Sequence, residues 1–237
     1  MKHARSAFHA SLLATVLYFV FGQAAFAQQD EYYPYYPEQD QQDDVQNVPS
    51  APGQVTFKLI PNPKFLNCLR ASSRVVPTAT VTVHRGHLND TLFMSLSGIK
   101  PGLQFDMFTV QNSPFLANGQ PDPKFKNFGL AWYQSDVDIP STSTHGTVQI
   151  QTILLDQIFG FDPAVALPPT NTFHVGIWFN NPKSAAACGF DPSKPTPFNG
   201  EHRAGPNAMI TLPVRTTNLG PLCTNPDFSR HPVTCEP

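Results

Sequence analysis

The sequence predicts an all-β protein, an antiparallel β-sandwich of about eight strands with Greek-key or jelly-roll connections. Three observations carry this. Beyond Gly53, apolar and polar residues alternate with a period of two through run after run, the pattern of a strand with one buried face. The chain holds 25 prolines, which break helices and mark turns and strand ends. No segment long enough for a crossover helix lies between the strand-like runs, so the crossovers that parallel pairing requires are missing.

The elements follow in order. Val55 to Ile60 is the first strand, stopped by Pro61 and Pro63. Ala79 to His84 comes next, with Val81 and Val83 on one face, then Asp90 to Ser97 with Leu92, Met94 and Leu96 inward. Gly98, Pro101 and Gly102 make the following turn. Leu103 to Gln111 sets Phe105, Met107 and Thr109 opposite Asp106, Phe108 and Val110, so this strand is expected to be buried on both faces. Ser113 to Lys126 is a proline- and lysine-bearing loop. Phe128 to Gln134 and His145 to Leu155 are further strands, the second with Val148, Ile150 and Thr152 inward. One short helical turn is expected between Asp156 and Pro169.

Thr172 to Asn180 is the strand around which the rest is organised. Phe173, Val175, Ile177 and Phe179 share one face and His174, Gly176 and Trp178 the other; Asn180, Asn181 and Pro182 stop it. A polar loop with Asn199, Glu201, His202 and Arg203 follows, and Asn207 to Val214 closes the domain. Phe128–Tyr133 echoes His174–Phe179, each ending in Trp plus a second aromatic, as two equivalent strands lying side by side would.

The flanks differ from this core. Residues 1–27 read as a secretory signal: Lys2 and Arg5, an apolar run from Leu12 to Phe21, and Ala25-Phe26-Ala27 as the cleavage site. The run is shorter than the roughly 20 residues of a membrane span, so no span is expected after cleavage; an uncleaved anchor is the alternative. Residues 28–52 form a Tyr/Pro/Asp/Gln-rich arm that is expected to be disordered, because so little of it is apolar. Residues 53–215 are the sandwich domain, and 216–237 a tail clipped by its own cysteines.

The arm carries six acids and no base, which leaves 13 Lys/Arg against 11 Asp/Glu in the rest of the processed chain, a net charge of +2. Such a balance gives no reason to expect nucleic-acid binding, which uses a concentrated basic face. The four cysteines, Cys68, Cys188, Cys223 and Cys235, suggest two disulfides in an exported chain. Three connectivities are open, of which Cys68–Cys188 with Cys223–Cys235 is the simplest. A zinc site competes, but no C-x-x-C is present.

Candidate chemistry is sparse. No strand carries His-x-His, the spacing that aligns two imidazoles on one face. His174, Glu201 and His202 would supply two imidazoles and a carboxylate to a metal if the polar loop folds back over the strand. Asp136, Asp138 and Glu201 are the carboxylates available for glycoside hydrolysis. No G-x-S-x-G is present, and no cofactor is expected. Trp132, Tyr133, Asp136, Trp178, Asn180, Asn199, Glu201 and His202 gather aromatics, amides and acids at strand ends and loops, a combination that suits a sugar or peptide. The opposing reading makes the tryptophans core and the polar residues turn formers. Asn89-Asp90-Thr91 is a glycosylation sequon in a eukaryotic secretory host.

Gly129, Leu130, Trp132, Tyr133, Gln134 and Asp136 spell G-L-x-W-Y-Q-x-D. His174, Gly176, Trp178, Phe179, Asn180 and Pro182 spell H-x-G-x-W-F-N-x-P, and residues 196–205 read T-P-F-N-G-E-H-x-A-G. In these motifs the chain resembles a family of uncharacterised secreted β-rich proteins of bacteria and fungi. The resemblance covers residues 66–212 and implies one secreted domain without implying an activity. The expected function is that of a secreted, non-enzymatic protein binding an extracellular ligand, with a carbohydrate or cell-surface component as partner. The alternatives are a metal-dependent or hydrolytic extracellular enzyme using the His/Glu loop, and a structural envelope protein.

Overall fold

The computed structural model describes residues 53–86, 89–154, 170–194, 204–224 and 235. Among them are nine strands: β1 (Gln54–Pro61), β2 (Thr78–His84), β3 (Asp90–Ser97), β4 (Gln104–Val110), β5 (Ala131–Asp138), β6 (Val148–Leu154), β7 (Thr172–Phe179), β8 (Asn207–Thr211) and β9 (Leu222–Cys223). Every pairing is antiparallel. The all-β, antiparallel expectation therefore holds. The signal, the arm and the segment expected to hold a helical turn lie outside the described residues. Among the described residues no helix is long and apolar enough to cross a membrane.

The strands form one continuous ladder, β5-β4-β7-β8-β1-β2-β3-β6, with β9 beside β7. The link is β1, whose residues Gln54–Leu59 pair with β2 while Leu59–Pro61 pair with β8. The two ends of the ladder approach each other, since the Thr152 hydroxyl on β6 donates to the Gln134 carbonyl on β5 at 3.5 Å. The result is a nearly closed, barrel-like sheet. Period-two patterning assigns faces to strands but not partners, and the route of the ladder through β1 is the part it does not contain.

The inward residues are those the alternation selects. Phe57 and Leu59 of β1, Val81 and Val83 of β2, Leu92, Met94 and Leu96 of β3, Phe105 and Met107 of β4, and the Phe173–Phe179 face of β7 fill the interior. One end of this core is closed by short helical pieces. Asn62 and Asn181 each accept the backbone N–H two residues on and precede a proline at the start of a 3-10 turn, Pro63–Phe65 and Pro182–Cys188. A single α-turn, Leu66–Leu69, follows the first. Cys68 is bonded to Cys188 and Cys223 to Cys235, the simplest of the three connectivities. The bridge holds the two helical pieces together, and Phe65 packs edge-on against Phe179 and Phe190 at 6.3 and 6.2 Å.

Two boundaries differ from the expected ones. β5 starts at Ala131 and runs on through Asp138, so Asp136 and Asp138 are strand residues with solvent on one side rather than a stop. β9 lies beyond the expected domain end at residue 215. It pairs Thr172 with Cys223 and Phe173 with Leu222, and Arg85 ties it to the β2–β3 hairpin by bonding both the Asp90 carboxylate and the Cys223 carbonyl.

Candidate functional site

β4 and β7 have apolar side chains on both faces, so their second face also needs cover. In β4 this face carries Asp106, Phe108 and Val110, and the register sets these opposite Trp178, Gly176 and His174 of β7. On the other side of β4, Asp106 faces Asp136 and Phe108 faces Tyr133 of β5. A bulge between Met107 and Phe108 lets Gln134 slip out of the pairing, so Tyr133 and Asp136, three residues apart, come to the same face. The cover is the loop between β4 and β5. It folds back through Asn112 N–H to the Phe128 carbonyl at 2.9 Å and Gln111 N–H to the Leu130 carbonyl at 2.9 Å.

This layer is a row of aromatic rings in edge-to-face contact. Tyr133 meets Phe108 at 5.7 Å, Phe108 meets Trp178 at 5.4 Å, Trp178 meets Phe128 at 5.0 Å and Phe128 meets Phe125 at 4.9 Å. Trp178 is fully buried, with Ala204, Phe115 and Ile210 in the same cluster. It stands behind the surface rather than on it. Tyr133 is the end of the row that reaches solvent, at 43 % exposure.

Around Tyr133 the layer is acidic. Its hydroxyl donates to the Asp136 carboxylate; burial, that hydrogen bond and the charges of Asp136, Asp106 and Asp138 together push its pKa up to about 12. Tyr133 is therefore a protonated donor at any physiological pH. Asp106 is buried, at 1 % exposure, and accepts a hydrogen bond from the Asn180 amide at 2.8 Å. Asp136 and Asp138 are exposed. The surface thus offers one aromatic ring, a phenol hydroxyl, two open carboxylates and the half-buried Asn180 beside the third.

His174 lies on the same sheet face but has a structural role. Its ring is buried, and Nδ1 lies 3.0 Å from both the carbonyl and the hydroxyl oxygen of Thr211. Burial lowers its pKa to about 4, against the weaker opposing effect of the Thr211 carbonyl. The ring is neutral in the folded protein and, with an ordinary pKa near 6.5, charged in the unfolded chain below that pH. The contribution of this ring to stability is therefore fully present above about pH 6.5 and is lost as the pH drops towards 4, roughly 3 kcal/mol at about 1.4 kcal/mol per pH unit. Urea midpoints measured from pH 7 to pH 4 should fall less steeply for His174→Gln than for the wild type. Parallel profiles would show that this ring is not the titrating group.

Of the sequence-selected residues, Tyr133, Asp136 and Asn180 come together, and Trp178 lies beneath them. Trp132 is opposite Thr109 in the register, on the other sheet face from Tyr133, and is half-buried. The echoing strands β5 and β7 are not adjacent but flank β4 on either side. Asn199, Glu201, His202 and Arg203 lie outside the described residues, so the site built on His174, Glu201 and His202 is described only at His174. Among the described residues, no group of three or more His, Cys, Asp or Glu side chains is placed to hold a metal ion. Asp106 was not among the sequence candidates. Its signal was a carboxylate inside a strand that, Thr109 apart, is otherwise apolar on both faces, Phe105 to Val110. No family model, no curated protein and no solved structure matches the chain.

Proposed function

We propose that the chain is a secreted, non-enzymatic binding protein that holds an extracellular ligand at the Tyr133–Asp136 surface. The observation that supports this is the placement of Tyr133, an exposed aromatic braced by Phe108 and hydrogen-bonded to Asp136, between open carboxylates and Asn180. An aromatic ring next to carboxylate and amide groups suits a carbohydrate, whose apolar ring face stacks while its hydroxyls donate. A sugar of the cell surface or surrounding matrix is the partner class. The two disulfides suit an oxidising compartment, in keeping with the secretory reading of residues 1–27 and with the resemblance of the three motifs to a secreted family. On this reading the nearly closed sheet is flattened into two layers, as in a sandwich.

A glycan array probed with the processed protein tests the proposal. Tyr133→Ala is expected to weaken the best array ligand at least tenfold, about 1.4 kcal/mol, and Asp136→Asn to weaken it too. Asp136 is exposed, so Asp136→Asn should change Tm little. Tyr133→Ala also loses the ring contact with Phe108, worth about 1 kcal/mol, so it should lower Tm by a few degrees while the domain stays folded. Binding that is indifferent to Tyr133→Ala, or turnover of the bound glycan, would overturn it.

A further inference from the structure

The other half of the sheet has an open outer face of different chemistry. The register places Thr80 beside Ser95 and Ser95 beside Gln149, and in the next row Thr82 beside Phe93 and Phe93 beside Gln151. Rows of this kind repeat at about 4.8 Å across strands and about 6.7 Å along them. Phe93 is 37 % exposed, in a position where the alternation calls for a polar residue. Its ring stands edge-to-face with the His84 ring at 5.2 Å. Thr80, Thr82, Phe93, Ser95 and Gln149, with Met94 and Ile150 between them, line a depression of about 200 Å³.

No carboxylate lies in these rows, and Lys58, which pairs with Thr80 at the margin, is their one base. A lone exposed phenylalanine needs no explanation. An aromatic ring set in a shallow depression, surrounded by hydroxyls and amides and free of acids, has a matching ligand. We propose that this face is a platform for an uncharged polysaccharide chain. Phe93 stacks on the apolar face of one sugar ring, and Thr80, Ser95, Gln149 and Gln151 exchange hydrogen bonds with the hydroxyls of its neighbours. The Thr82 and Thr56 hydroxyls lie 3.1 Å apart, which leaves each with hydrogen-bonding capacity for a ligand. A polyanion would call for bases and a polycation for acids, and the rows supply neither in number.

This face shares no residue with the Tyr133 surface, so either can fail without the other. The test is retention of the processed protein on insoluble cellulose and β-1,3-glucan, with polygalacturonate and chitosan as charged comparators. Retention on at least one neutral polymer is expected, unchanged in about 0.5 M salt, where charge interactions are screened within a few ångströms. Phe93→Ala should weaken it at least tenfold with Tm preserved, and Tyr133→Ala should leave it intact. If Phe93→Ala does not fold, Gln149→Ala/Gln151→Ala takes its place with the same expectation. The proposal is overturned by no retention on either neutral polymer, by retention only on a charged polymer and lost in salt, or by retention that Tyr133→Ala abolishes and the platform variants leave unchanged.

Discussion

Replacing both Cys68 and Cys188 by alanine is expected to lower the stability of the folded domain by about 5 kcal/mol, the chain-entropy value for so long a loop. The two residues are 120 apart in sequence, against 12 for Cys223 and Cys235, whose removal should cost roughly 3 kcal/mol on the same basis. The long bridge also holds the α-turn Leu66–Leu69 against the 3-10 turn Pro182–Cys188, and so keeps the cover over Phe65 and Phe179 in place. Urea unfolding of the two double variants checks the order of the effects. Equal losses, or a larger loss for the tail pair, would show that loop closure is not what the long bridge contributes.

Gly176→Val is expected to destabilise the domain by about 3 kcal/mol, at the upper end for an overpacked core. A β-carbon at Gly176 would lie 2.7 Å from Trp178 Cζ3, 2.9 Å from Cη2 and 3.1 Å from the Met209 carbonyl oxygen. The indole folds over the glycine and is held there by Phe108 and Phe128, so the ring has nowhere to retreat without opening the aromatic layer. Thermal unfolding should shift down by about 6–12 °C. In a Trp178→Ala background the two shortest contacts are gone and the one to the Met209 carbonyl remains, so the cost of the valine should shrink by more than the usual additivity error of about 0.5 kcal/mol. Strict additivity would mean that the glycine does not exist to seat the indole.

Strand identity was legible because burial imposes period two. Leu92, Met94 and Leu96 lie inward as their spacing requires, and both faces of β4 and β7 are buried as their apolar content requires. β5 was less legible. Its outer face past Tyr133 carries acids, and acids read as turn formers when the strand beside them is unknown. The aromatic layer was hidden for a related reason. Phe125 belongs to a loop, and loop residues have no period by which to assign them to a face. Phe128 reads from sequence as the start of a strand, whereas β5 begins at Ala131 and Phe128 lies in the loop before it. Tyr133 is selected as a residue at a strand end and Asp136 and Asn180 as residues of the adjoining loops, but their meeting depends on the bulge at Gln134 and on β4 lying between β5 and β7. Sequence spacing contains neither.

The pairing of β9 with the start of β7 sets an order of events during synthesis. Thr172 and Phe173 lie beyond the register with β4, which ends at His174, and beyond that with β8, which begins at Gly176; the strand paired with them is β9, through Cys223 and Leu222. A chain emerging from its N-terminus makes β7 and its earlier partners well before β9 exists. β8 covers β7 at Gly176–Trp178, but until β9 arrives the start of β7 at Thr172 and Phe173 stays unpaired, and open strand edges are the feature through which nascent chains join each other and aggregate. A chain held unfolded until it has crossed a membrane avoids that interval, because β9 is then present when folding starts. The Cys223–Cys235 bridge and the Arg85 contact then act as a latch that keeps the edge closed once it has been covered.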